Sequence, residues 1–233
     1  MSQLISLEAL DQDGAIRETA DAAGATRADF LKRGGIAGAG FLAGGVLFSG
    51  FVSPAEAAIS TRNRSKKNDI RILNYALTLE YLESAFYNQA NASGALQDQR
   101  VKEFAKVTGA HENAHVKALK QVLGSKAVKS PKFDFGDTVT NEGKFKQTAQ
   151  VLEDTGVAAY AGQGPNILQR PVVQAALSIH SVEARHAAWI RFINSDGGLV
   201  RGFGGDPAPH AFDKALGEKA VLKAVTGTGF IQG

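Results

Sequence analysis

Between Ile179 and Ile190 the sequence sets a carboxylate, Glu183, and an imidazole, His186, three residues apart in a helical run. Residues at i and i+3 share one face of a helix. Here that face is Val172, Ala176, Ile179, Glu183, His186, Ile190 and Ile193, an apolar stripe whose only polar members are this pair. Both groups therefore point into a core. A carboxylate cannot stay charged in a dry interior unless it is paired or bound to a metal, so the rest of the chain must supply partners.

It does. A second Glu-x-x-His stands at Glu112 and His115, with Val101, Thr108, Leu119 and Val122 in phase around it. Glu80 and Glu153 complete the set, and each is followed seven residues later, two turns along the same face, by a tyrosine, Tyr87 or Tyr160. Glu80 precedes Glu112 by 32 residues and Glu153 precedes Glu183 by 30, while the two halves are offset by 73 and 71. Such spacing describes two helical hairpins built alike. With 11 Glu and 5 His in 233 residues, chance placement yields about 0.2 Glu-x-x-His pairs, so two on apolar stripes are a strong signal.

Four glutamates and two histidines facing one bundle core are the ligand set of ferritin-like dimetal carboxylate proteins. Over residues 68 to 194 the chain resembles that superfamily, specifically the exported ferritin-like domain family that includes the desiccation-related proteins. The resemblance implies an all-α fold: a ferritin-like four-helix bundle of two antiparallel hairpins, with a long crossover between helices 2 and 3 and an irregular C-terminal tail. It also implies roles. Glu112 and Glu183 would bridge two Fe or Mn ions, with Glu80 and His115 on one ion and Glu153 and His186 on the other. Tyr87 and Tyr160 are candidate outer partners, able to hydrogen-bond a ligand carboxylate. Glu83, one turn beyond Glu80, is an alternative ligand; the match with Glu153 favours Glu80. His111 falls off the apolar stripe and is expected at the surface. His180 is at best an outer group, and His210 a structural one.

The chain has no cysteine, which excludes a disulfide framework, thiolate metal sites and a rubredoxin-type iron centre. Residues 1–58 read as an export signal: basic residues at Arg27, Lys32 and Arg33, an uncharged Gly/Ala-rich run from Gly34 to Val52, and Ala55-Glu56-Ala57 as the cleavage site. The segment resembles a degenerate twin-arginine signal, with Ala28 in place of the second arginine, and implies an exported, periplasmic or envelope location with membrane contact only for export. Residues 59–233 hold 22 Lys and Arg against 16 Asp and Glu, a net charge of +6. Residues 59–67, with Arg62, Arg64, Lys66 and Lys67, read as a solvated basic linker; no aromatic interleaving suggests nucleic acid.

The bundle is assigned to residues 68–196 and the tail to 197–233. Helices are expected from about Asn68 to Gln89, Asp98 to Leu123, Glu142 to Ala161, and Pro171 to just before Asp196, with a short helical patch near Glu218 to Val225. The tail is unlike the fifth helix of cage-forming ferritins. Carboxylate and imidazole ligands without sulfur suit Fe or Mn. The expectation is therefore a redox dimetal site using O2 or peroxide in envelope stress protection, in a chain that can form a homodimer. A manganese catalase-like enzyme and a non-catalytic protein protective against desiccation are the alternatives.

Overall fold

The computed structural model describes residues 64–195 and 206–232, and the expected export signal lies outside them. Among the described residues are five α-helices: α1 (Lys66–Ser93), α2 (Gln99–Leu123), α3 (Glu142–Gln163), α4 (Arg170–Asn194) and α5 (Glu218–Gly227). None is long and apolar enough to cross a membrane.

The helix ends follow from local chemistry. Ser65 caps α1, its hydroxyl accepting from the Asn68 N–H at 3.1 Å, so the helix starts two residues before Asn68 and takes in Lys66 and Lys67. It also runs past the expected end near Gln89 to Ser93, where Gly94, with φ of 65°, suits a left-handed C-cap. Asp98 and Asn141 cap α2 and α3 by accepting from the Arg100 and Lys144 N–H groups. The start of α4 is served from a distance. The fully buried Asp69 of α1 accepts from Leu168 N–H at 2.8 Å and from Gln169 N–H at 3.0 Å, tying the first helix to the last connection of the bundle.

α1 packs chiefly on α2, and α3 on α4; the short links within each pair make two antiparallel hairpins. On α2 the buried stripe runs through Glu112, His115, Leu119 and Leu123, whereas Val122 is 57% exposed and lies outside it. Four such amphipathic faces enclose two apolar clusters. One is aromatic, built on Phe86, Tyr87, Phe104, Phe135 and Phe145, and the other is aliphatic, built on Ile72, Leu77, Leu119, Ile167 and Ile179 with Tyr160. Tyr87 belongs to the first cluster and Tyr160 to the second, so the polar groups that these hydroxyls meet form a layer between the two.

The crossover from Gly124 to Asn141 is not free loop. Phe135 enters the aromatic cluster, 5.4 Å from Phe86 by ring centroids. Beside it β1 (Lys132–Phe133) pairs antiparallel with β2 (Ile231–Gln232), two-residue strands that join the crossover to the end of the chain. The described part of the tail packs on the bundle as well. Val221 and Val225 of α5 are buried in the aromatic cluster, and Leu216 N–H donates to Ala158 O of α3 at 3.0 Å.

Candidate metal centre

Glu80, Glu112, Glu153 and Glu183 have no solvent exposure, and His186 and His115 keep only 2% and 9%. Each of the four bundle helices thus delivers one glutamate to the polar layer, and α2 and α4 add a histidine one turn on. Two groups emerge. Glu80, Glu112, His115 and Glu183 each place a ligand atom within 4.8 Å of all the others, and so do Glu112, Glu153, Glu183 and His186. Glu112 and Glu183 belong to both.

The contacts repeat this division. His115 Nδ1 lies 3.2 Å from Glu80 Oε2, 3.2 Å from Glu112 Oε2 and 3.1 Å from Glu183 Oε1. His186 Nδ1 lies 3.1 Å from Glu112 Oε1 and 3.2 Å from Glu153 Oε2. Yet Glu112 Oε1, Glu153 Oε2, both oxygens of Glu183 and His186 Nδ1 have no hydrogen-bond partner. They are close but badly angled for hydrogen bonds, as atoms are when they converge on common points between them. Buried polar atoms are normally satisfied, so this donor set fits cations: four hard carboxylates and two imidazoles suit Fe or Mn.

The tyrosines cross between halves. Tyr87 of α1 donates to Glu153 Oε1 of α3, and Tyr160 of α3 donates to Glu80 Oε1 of α1 at 2.5 Å. Each hydroxyl holds the carboxylate of the opposite hairpin and turns its other oxygen inward.

Without cations the layer stores protons. Burial, then the charge of Glu80, drives the Glu112 carboxyl well above its ordinary range. Burial and the charges of Glu112 and Glu80 do the same to Glu183. Burial also raises Glu80, but hydrogen bonds from His115, Glu112 and Tyr160 outweigh it and leave that carboxyl below the usual range. Burial works against a charged His115, but Glu112, Glu183 and Glu80 push its imidazole up to about 12. Glu112, Glu183 and His115 thus hold their protons more tightly than free side chains do, and cations would displace those protons.

Two residues stand closer to this layer than the spacing of the sequence suggested. Glu83 is 97% buried and lies in the same core as Glu80; burial and the charges of Glu183, Glu112 and Glu153 push its carboxyl well up. The space it uses is opened by Gly156, because a Cβ there would lie 3.2 Å from both Glu83 Oε1 and Glu183 Oε2. In the duplicated register Gly156 is the counterpart of Glu83, so a glycine on the buried face of α3 was the available signal. His111 is exposed as expected, yet its Nδ1 is 2.9 Å from His186 Nε2. Neither His180 nor His210 belongs to either ligand group. His180 and Tyr160 instead line an open pocket of about 280 Å³ between α3 and α4.

The family model of the ferritin-like domain matches residues 68–195. None of the curated proteins is significantly similar to the chain.

Proposed function

Because the chain belongs to the ferritin-like domain family, we propose that its polar layer is a dimetal carboxylate centre that couples oxidation of Fe or Mn to reduction of O2 or peroxide. The observation that carries this reading is the set of unpartnered atoms on Glu112, Glu153, Glu183 and His186, inside a wholly buried group of four carboxylates and two imidazoles. Glu80 with His115 and Glu153 with His186 would hold one ion each, and Glu112 with Glu183, common to both groups, would bridge them. Two such ions, when bound, supply one-electron steps and Lewis acidity toward a shared oxygen species.

The chain's own residues do the rest. Tyr87 and Tyr160 fix Glu153 and Glu80 by charge-assisted hydrogen bonds, which limits rotation of both carboxylates. The aromatic and aliphatic clusters on either side keep bulk water out and strengthen each electrostatic contact within. Glu83 is a buried acid beside Glu183 whose carboxyl burial and the neighbouring glutamates push well up, placed to hold a proton close to the centre. We place the protein outside the cytoplasm, in envelope protection against oxidative or drying stress, on the basic, apolar and Ala-x-Ala pattern of residues 27–58.

The test is elemental analysis of protein purified without added metal, joined to an aerobic Fe(II) oxidation assay. About two Fe or Mn per chain, lost in a His115→Ala, His186→Ala double variant, is the expected result. Metal near zero that reconstitution does not restore refutes it.

A further inference from the structure

His186 meets the polar layer with Nδ1, 3.1 Å from Glu112 Oε1 and 3.2 Å from Glu153 Oε2. Its other nitrogen, Nε2, faces away and lies 2.9 Å from Nδ1 of His111 on α2. The two rings are nearly parallel, 17° apart with centroids at 5.2 Å. His111 is largely exposed whereas His186 is 98% buried, so this single contact joins a ligand imidazole to the protein surface.

We propose that His111 is a positioning residue for the ion held by Glu153 and His186, fixing the His186 ring and its tautomer and making the two ion positions unequal. The inference rests on the dimetal reading. A ligating imidazole coordinates through an unprotonated nitrogen and places its proton on the other one. With Nδ1 turned to the ion, the His186 proton sits on Nε2 and is donated to His111 Nδ1. His111 then carries its own proton on Nε2. Without an acceptor at this point, His186 gains freedom to swing or to present the wrong tautomer, and its basicity as a ligand falls. The other half of the chain lacks this device: in the duplicated register the position equivalent to His111 is Val182, whose side chain has no polar atom. The spacing of the sequence repeats the six ligands but not this partner.

The test is a Co(II) titration of the metal-free full chain, followed by visible absorbance and calorimetry, in wild type and three variants. His111→Phe keeps an aromatic ring but cannot accept a hydrogen bond. His111→Asn puts an amide oxygen close to where Nδ1 stands. His186→Ala marks which binding step belongs to the Glu153/His186 position. In His111→Phe that step is expected to weaken by roughly 10- to 100-fold, as loss of an outer partner usually does, while the other step changes less than threefold; His111→Asn should recover most of the loss. If His111→Phe binds both ions like wild type, weakens both equally, or is matched by His111→Asn, the proposal is overturned. Wild type that binds no Co(II) overturns the dimetal reading itself and this inference with it, an outcome visible before any variant is compared. Because the assay reads binding constants, it does not depend on turnover.

Discussion

Gly162 offers a clean test of how the tail is held. It lies on α3 beneath the tail, and a Cβ added there would stand 1.9 Å from Leu216 O and 2.8 Å from Leu216 C. The obstacle is backbone, and it is pinned by the bond from Leu216 N–H to Ala158 O, so no side-chain rotation relieves the overlap. A Gly162→Ala variant must lift the tail or bend α3. The segment that the overlap displaces contributes two buried valines, Val221 and Val225, at about 1.5–3 kcal/mol each, and the Leu216 backbone hydrogen bond, worth about 1 kcal/mol; the pairing of β1 with β2 lies farther along the tail. Freed residues regain conformational entropy, and alanine favours the helix over glycine by about 0.5–1 kcal/mol. A net loss near 3 kcal/mol corresponds to a Tm lower by roughly 6–12 °C for a chain of this size. Thermal unfolding measures it, and limited proteolysis should show new cleavage between residues 206 and 217. Val221→Ala, costing about 2 kcal/mol in wild type, should cost almost nothing on the Gly162→Ala background. A variant that melts within 2 °C of wild type, with Val221→Ala still fully additive, would refute the reasoning.

Four other outcomes are expected. The metal-free protein should lose stability as pH rises: the folded-state pKa values of Glu83, Glu112, Glu183, His115 and His186 are raised, outnumbering the lowered Glu80 and His111. The folded state therefore binds more protons, and stability falls from about pH 4.5 upward, read as a decreasing Tm between pH 5 and 8. Added Mn(II) or Fe(II) should reverse that slope, since binding displaces these protons, and at 100 times Kd should stabilise by about 2.7 kcal/mol for each ion bound; calorimetry in two buffers of different ionisation heat would count the protons released. Tyr87→Phe leaves Glu153 Oε1 without its donor, costing about 1–3 kcal/mol of metal-free stability and roughly tenfold in affinity for one ion. Gly156→Ala should separate the two properties: its Cβ at 3.2 Å from Glu183 Oε2 displaces the carboxylate proposed to bridge and should weaken metal binding, while the Tm of the metal-free chain changes little; unchanged metal affinity would count against the bridging role.

Most of this architecture is legible in the sequence because it repeats. Periodicity identifies the four faces, and two Glu-x-x-His pairs on apolar stripes can hardly be placed anywhere but inside. What repeats less well is harder to read. Glu83 looks like a competitor of Glu80 when only spacing is known; in three dimensions both enter the core, since Gly156 on a different helix leaves room. His111 looks like an ordinary surface histidine, because its contact is with a residue 75 positions away. The N-terminus of α1 is missed by two residues because Asn68 and Asp69 both look like caps. Ser65 takes that role, and Asp69 instead binds the chain ahead of α4. Val122 follows the apolar pattern by composition but sits one position off the buried stripe that ends in Leu123. The short pairing of β1 with β2 joins two segments about a hundred residues apart, beyond the reach of local pattern.

The exchange of tyrosines between hairpins has a consequence for how this molecule can come apart, or come into being. Each hairpin brings a glutamate, a Glu-x-x-His pair and a hydroxyl, but the hydroxyl it carries serves the carboxylate it lacks. Neither hairpin alone can therefore hold its own terminal glutamate in place, and a competent site exists only after the two have docked. The capacity to capture an ion that we propose would then belong to the joined pair and to neither hairpin alone. Between two halves of such like spacing the same exchange works as a ratchet. Once each copy supplies the hydroxyl that the other depends on, neither can be deleted, shortened or allowed to drift by itself.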